Sequence, residues 1–195
     1  MQPCRTQAGS VALIDERNSA LLAAVVYGKD DPIDEFMLAI ADRLRAEGVR
    51  LHGAIQENAG ANALCAAMSL IDLATGERVA ISQDLGAEAR GCRLDPRGLA
   101  DLAARIDATI DADFDLLILN KFGKAEAEGS GLRNAFAHAI AAGKPILSAV
   151  RPPYLEAWSR FHGGLAADLE PHLDTVVAWC RGAIGARHLR PSVVA

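Results

Sequence analysis

At 195 residues, with 51% hydrophobic and 23% charged side chains, the chain is long enough for one buried core and short for two, which excludes a disordered or fibrous polypeptide. A net charge of -5 excludes a broad attraction to nucleic acid or anionic membrane and leaves room only for a local basic pocket. The expected partner is therefore a small anionic ligand, with no nucleic acid and no membrane, and homo-oligomerisation is left open. The opening MQPCRTQAGS has one arginine and no apolar core of a signal peptide, so a cytoplasmic protein is expected. Four cysteines, Cys4, Cys65, Cys92 and Cys180, show no C-x-x-C spacing and read as thiols rather than a zinc ribbon or disulfides.

Residues 1–19 read as a polar extension whose short apolar run, Val11 to Ile14, is left unassigned. Leu21 to Tyr27 is a continuous apolar run closed by Gly28, the pattern of a strand covered on both faces. Asp31 and Pro32 then supply an N-cap and a first-turn proline. Ile33, Phe36, Met37, Ile40, Ala41 and Leu44 follow at helical spacing until Gly48. Val49 to Gln56 reads as the second strand and completes a βαβ unit. Leu64 to Leu73 and Arg78 to Gln83 predict a hairpin turned by residues 74–77 and inserted between the parallel units. Asp95-Pro96 opens a second helix with Leu99, Leu102, Ala103, Ile106 and Ile110 on one face. Phe114 to Leu119 is a further buried strand. A helix over Leu132 to Ala142 then leads into the strand Pro145 to Val150, and the remainder reads as helical. The alternation implies one α/β domain over residues 20–189, a mainly parallel sheet flanked by helices, with a tail at 190–195.

Ligands of such sheets sit at the carboxyl ends of the strands. A loop that wraps phosphates reads G-x-x-x-x-G-K-[ST], its backbone N–H groups and lysine cradling the anion and its hydroxyl holding magnesium. The loop that starts at Gly28 instead reads Gly-Lys-Asp-Asp-Pro-Ile-Asp-Glu. Ile33 stands for the second glycine, Asp34 for the lysine and Glu35 for the hydroxyl. Four carboxylates against Lys29 leave the loop at a local charge of -3, so polyphosphate meets repulsion. Asp31 and Glu35 are also explained simply as charges at a helix N-terminus. The strand from Phe114 ends in Asn120-Lys121, an amide and an amine where metal-holding carboxylates are needed.

Two resemblances follow from these segments. Asp72 to Arg78, the helix after it and FDLLILNKFGKAEAEG resemble nucleoside-triphosphate phosphatases of the thermophilic type, whose matching strand ends in Asp-Glu-Ile-Gly-Lys-x-Glu. Gly123, Lys124 and Glu126 match that pattern, whereas Asn120-Lys121 and the Gly28 loop depart from it. The segments ISQDLG, GCRLD, NKFGKAEAEG and AVRPPYLEAW are similar to a bacterial domain of unknown function (number 2478), over roughly Ala20 to Leu169. That resemblance implies a P-loop NTPase-like fold and genes neighbouring those of molybdate transport or nitrogenase.

The candidate ligand-binding residues are thus Gly28, Gln56, Asn58, Gln83, Cys92, Arg93, Asn120, Lys121, Gly123, Lys124, Arg133 and Arg151, with cations suited to a tetrahedral oxyanion and amides adding neutral hydrogen bonds. No cofactor is fixed by the sequence; molybdate or another oxyanion is the candidate, and magnesium with nucleotide is disfavoured. No catalytic residue is expected unless the chain is a nucleoside-triphosphate phosphatase with a rearranged site, in which case Glu126 or Asp84 would position metal and water. A third reading is a regulatory or scaffold protein. Cys92, between Arg90 and Arg93, could pair with Cys65, but buried structural thiols are the simpler account. The five histidines show no metal-ligand spacing, and Trp158 and Trp179 read as core.

Overall fold

A computed structural model describes residues 20–58, 68–83 and 93–189. The apolar run after Ala20 forms β1 (Leu22–Val26), and the amphipathic stretch after Pro32 forms α1 (Ile33–Ala46). Next come β2 (Leu51–Asn58), β3 (Met68–Asp72), β4 (Arg78–Ala80), β5 (Ser82–Gln83), β6 (Arg93–Leu94) and α2 (Pro96–Ala108). The chain continues through β7 (Leu116–Phe122), the short α3 (Lys124–Ala127), α4 (Arg133–Ala141) and β8 (Ile146–Val150). A 3-10 turn at Pro152–Tyr154 leads to α5 (Leu155–His162), β9 (Ala166–Leu169) and α6 (Leu173–Leu189). Among the described residues, no helix is long and apolar enough to cross a membrane.

Seven strands form one sheet in the order β4-β3-β2-β7-β8-β1-β9. The five from β2 to β9 run parallel, and the hairpin of β3 and β4 adds two antiparallel strands at the β2 edge. Reaching β2 from β1 and reaching β9 from β8 are moves in opposite directions, so right-handed crossovers need opposite faces of the sheet. The core divides in that way. Ala23, Val25, Ile118 and Leu147 pack with α1 and α6, while Leu22, Ala24, Leu117 and Ile146 pack with α2, α4 and α5. On α1 the helical spacing buries Ile33, Met37, Ile40, Ala41 and Leu44, each large side chain contributing ~1.5–3 kcal/mol of apolar burial.

The α/β class and the inserted hairpin agree with the sequence reading, and four local features differ from it. Asp31 is not a helix cap, because its carboxylate turns back to accept the Gly28 N–H at 2.6 Å and Pro32 takes the cap position. Asp95 does cap its helix, accepting from the Arg97 N–H at 3.0 Å. The second hairpin arm is broken at buried Ile81, so Ser82 and Gln83 leave the main sheet and pair with Arg93 and Leu94. The strand expected to end at Leu119 runs on to Phe122, and the carboxyl-terminal remainder, expected to be helical throughout, contains the edge strand β9. The run Val11 to Ile14 and the residues before Met68 in the expected hairpin arm lie outside the described residues.

Candidate functional site

Strands β1 and β8 are neighbours, yet the chain leaves β1 for one face of the sheet and β8 for the other. The crevice between such strand ends is where an open α/β sheet takes its ligand. A shallow cleft of about 230 Å³ lies there, lined by Tyr27 and the Gly28 loop, the first turn of α1, Lys121 and Arg151.

A β-bulge shapes the floor. Leu119 pairs with Ser148 and Phe122 with Val150, so Asn120 and Lys121 together oppose the single residue Ala149. The Ser148 hydroxyl, fully buried, donates to the Leu119 carbonyl at 2.6 Å. With the extra residue, Asn120 and Lys121 both reach one carboxylate. Lys121 Nζ lies 2.7 Å from Asp34 Oδ1, and Asn120 Nδ2 donates to the same oxygen at 3.3 Å. The Lys121 ammonium also reaches Gln56 Oε1 at 3.4 Å. Asn120 Oδ1 is buried and has no hydrogen-bond partner among the described residues. Asp34 belongs to the first turn of α1, which passes over β7 on its way to β2 and so brings the carboxylate above the bulge.

Arg151 follows β8 directly and, among the described residues, makes no ion pair and no side-chain hydrogen bond. Its charge acts on Tyr27, whose hydroxyl is nonetheless pushed up to about 12 because burial outweighs the arginine. Gly28 lines the loop, its N–H already engaged by Asp31.

The other candidate residues are spread elsewhere. Lys124 is exposed and lies 3.8 Å from Glu128. Arg133 donates to the Glu126 carbonyl at 2.9 Å and covers the Phe161 ring at 4.6 Å. Glu126 is buried, and its two oxygens accept the Gly123 and Leu132 N–H groups, both at 2.9 Å. It thus ties the start of α3 to the start of α4. Gln83 and Arg93 pair through their backbones in the small β5-β6 ladder, Asn58 ends β2 opposite Met68, and none of these three has a described side chain. Asp84, Cys65 and Cys92 lie outside the described residues. Among the described residues, no group of three histidine, cysteine or acidic side chains is gathered to hold a metal. Of the cations singled out from the sequence, the cleft unites Lys121 and Arg151, and it adds Lys29. The Asp34 partnership was not anticipated.

A family profile for a protein of unknown function, DUF2478, matches residues 22–179 of the chain. The chain belongs to the DUF2478 family. This DUF2478 domain is also 40% identical over 181 residues to the molybdenum import ATP-binding protein ModC 2 of Bradyrhizobium diazoefficiens, a match that covers 91% of the chain and 20% of that protein. The domain therefore spans about a fifth of the length of that relative. In architecture it is similar to a human cancer-related nucleoside triphosphatase solved in solution, with a TM-score of 0.59 at 14% identity, covering 87% of this chain and all of the other. The DUF2478 domain has the α/β fold of P-loop NTPases.

Proposed function

We propose that this DUF2478 domain is a non-hydrolytic ligand-binding module that takes a small oxyanion at the crevice between β1 and β8, with Arg151 as its principal anchor. The observation that carries the reading is the state of the charges: Lys121 is already joined to Asp34, whereas the Arg151 guanidinium beside it has no carboxylate partner among the described residues. A planar guanidinium gives two parallel N–H donors to a tetrahedral anion. The cleft, about 230 Å³, is below the ~300 Å³ at which sites begin to enclose drug-sized ligands, and this favours a compact ion over a nucleotide.

The residues present do not fit a magnesium nucleotide. Asp34 stands where a phosphate-binding lysine would, the Gly28 N–H is spent on Asp31, and β7 offers an amide and an ammonium rather than carboxylates. Glu126, the acid a rearranged phosphatase would need, has both oxygens engaged by backbone N–H groups. Molybdate is the first oxyanion to try, because the relative of which this chain matches a fifth is named for molybdenum import. A role beside such a transporter, regulatory or as a carrier, is part of the same proposal.

Calorimetric titration with molybdate, tungstate, sulfate and magnesium ATP tests it. Saturable binding of an oxyanion without nucleotide binding is expected. Arg151→Ala should weaken it ~10- to 100-fold, since a charge-assisted hydrogen bond is worth ~1.5–3 kcal/mol. Magnesium-dependent ATP binding, or oxyanion binding indifferent to Arg151, would refute the reading.

A further inference from the structure

We propose that the cavity at the amino ends of β2 and β7 is a second binding site, which takes a small, uncharged, planar heteroaromatic molecule through its amino N–H groups. It lies at the opposite end of the sheet from the crevice, and no residue lines both. The proposal therefore stands or falls without the oxyanion.

The cavity measures about 640 Å³, within the ~300–1,000 Å³ span of sites that enclose small organic ligands. The starts of β2 and β7 and the last turn of α2 surround it, and Leu51, Ile106 and Phe114 give it apolar walls. Two buried polar residues in its lining, His52 and Asp72, come from one face of the sheet. His52 pairs with Leu117, and Asp72 pairs with Ala54, two residues after His52; Leu117 and Ala54 both belong to the half of the core that packs on α2. The His52 and Phe114 rings lie 4.8 Å apart, an aromatic surface for a flat ligand.

The hydrogen bonds leave two acceptors over. The Thr109 hydroxyl gives its proton to the Arg105 and Ile106 carbonyls, at 2.8 and 3.1 Å, so it accepts from His52 Nε2 at 2.9 Å. Burial pushes the His52 imidazole below its usual value, so the ring is neutral at pH 7, with its proton on Nε2 and Nδ1 left as an acceptor. Asp72 Oδ1 takes the Ala74 and Thr75 N–H groups at 2.9 and 3.2 Å, which leaves Oδ2. Neither Nδ1 nor Oδ2 has a hydrogen-bond partner among the described residues. Nor is either one of the sealed side-chain atoms without a partner, which are Asn120 Oδ1 and Trp179 Nε1. Both are therefore open, and because each residue is only 7% exposed, the opening is the cavity that they line. The exposed arginines of the lining are already matched, Arg50 with Asp113 and Asp115, and Arg105 with Glu77. Spare acceptors, committed arginines and apolar walls select N–H donors on an apolar frame and not another anion.

Ligand-observed NMR titration of the full chain tests the proposal, with quinoxaline carrying an amino group on its pyrazine ring and with quinoxaline itself, which has the same frame and no N–H. The aminoquinoxaline should bind saturably and quinoxaline about 10-fold more weakly. In Asp72→Asn the amide oxygen can still hold the Ala74 and Thr75 N–H groups while its NH₂ replaces the open acceptor, and affinity should fall about 10-fold. His52→Phe keeps a ring beside Phe114 and removes the other acceptor, for a loss of ~3- to 10-fold. No binding by the wild type, equal binding of the two compounds, or an affinity unchanged in either folded variant would overturn the proposal. Displacement of the aminoquinoxaline by molybdate would overturn it too, by placing the compound in the crevice. If one variant fails to give a cooperative melt by circular dichroism, the other variant and the comparison of the two compounds decide.

Discussion

Replacing Glu126 by glutamine separates a structural acid from a catalytic one. The side chain is buried, and its oxygens accept the N–H groups of Gly123 and Leu132 at 2.9 Å each. A hydrogen bond to a charged group is worth ~1.5–3 kcal/mol. Glutamine can keep one of the two bonds through its carbonyl, but its NH₂ then faces the other backbone N–H, donor against donor. The cost is one charge-assisted bond and an unsatisfied buried donor, about 2–4 kcal/mol together. No neighbouring space relieves this, because Gly131 lies so close that a Cβ there would be 2.2 Å from Glu126 Oε1. For a chain of 150–250 residues each kcal/mol moves Tm by ~2–4 °C, so a drop of roughly 5–15 °C is expected. Thermal melting by circular dichroism measures it, and phosphate release from nucleoside triphosphates is assayed alongside. An unchanged Tm, or hydrolysis present in the wild type and absent in Glu126→Gln, would refute the structural assignment and move the phosphatase reading to first place.

Two further predictions concern stability alone. Gly53, in β2, has φ +101°, and a Cβ there would lie 2.1 Å from the Ile118 carbonyl oxygen of β7, so Gly53→Ala should cost ~3–5 kcal/mol through strain and overpacking in the sheet; a urea midpoint like that of the wild type would contradict the β2-β7 register. Burial holds both His52 and His162 below the ordinary histidine value of 6.5, and His162 Nδ1 accepts the Gly164 and Ala166 N–H groups at 3.1 and 3.3 Å. The unfolded chain therefore binds more protons than the folded one in mild acid. Stability is complete above about pH 6.5 and falls as the pH drops through the lower folded-state values, a fall that His162→Asn should reduce because its amide oxygen can take over as acceptor. Urea titrations between pH 7 and pH 5 measure this, and a midpoint that holds steady or rises with acid would count against it.

The α/β frame was legible because its signals are local. The apolar runs of β1 and β8 and the spacing of Ile33, Met37, Ile40 and Leu44 depend on near neighbours in sequence, as does the Asp95-Pro96 helix start. The continuation of β7 was missed because Asn120-Lys121 reads as the polar start of a loop. The signal that could have found it is Phe122, which resumes the apolar pattern after two polar residues, as a bulge requires. β9 escaped because Ala-Ala-Asp-Leu has neither β-branched residues nor strict alternation and gains its place by pairing with β1 at the sheet edge. In the candidate cleft, the place of Arg151 directly after β8 was legible, while the separation of Lys124 and Arg133 from Lys121 was not. Side chains on one surface loop diverge with each turn of backbone, and here α3 and the Glu126 tie send Arg133 to the Phe161 ring.

On the non-hydrolytic reading proposed above, the Asp34-Lys121 pair also has a part in keeping the shape of the crevice. A fold needs the first turn of α1 and the end of β7 to be electrically compatible, because both are partly buried at the crevice and an unpaired charge there is costly. Coulomb attraction between unit charges depends on their separation and surroundings and is the same with the signs exchanged. A cation on the helix facing an acid on the strand, and an acid on the helix facing a cation on the strand, therefore satisfy folding alike. Phosphoryl transfer is not symmetric in that sense: it needs positive charge on the helix toward the phosphates and acceptor oxygens on the strand toward a metal. Asp34 and Lys121 have a polarity that suits folding and is the reverse of that arrangement, which is one ground for the non-hydrolytic function proposed above. Beyond this pair the described cleft carries Arg151 and Lys29 alongside Asp31 and Glu35, and on the proposed reading it is Arg151, without a carboxylate partner among the described residues, that is offered to a ligand.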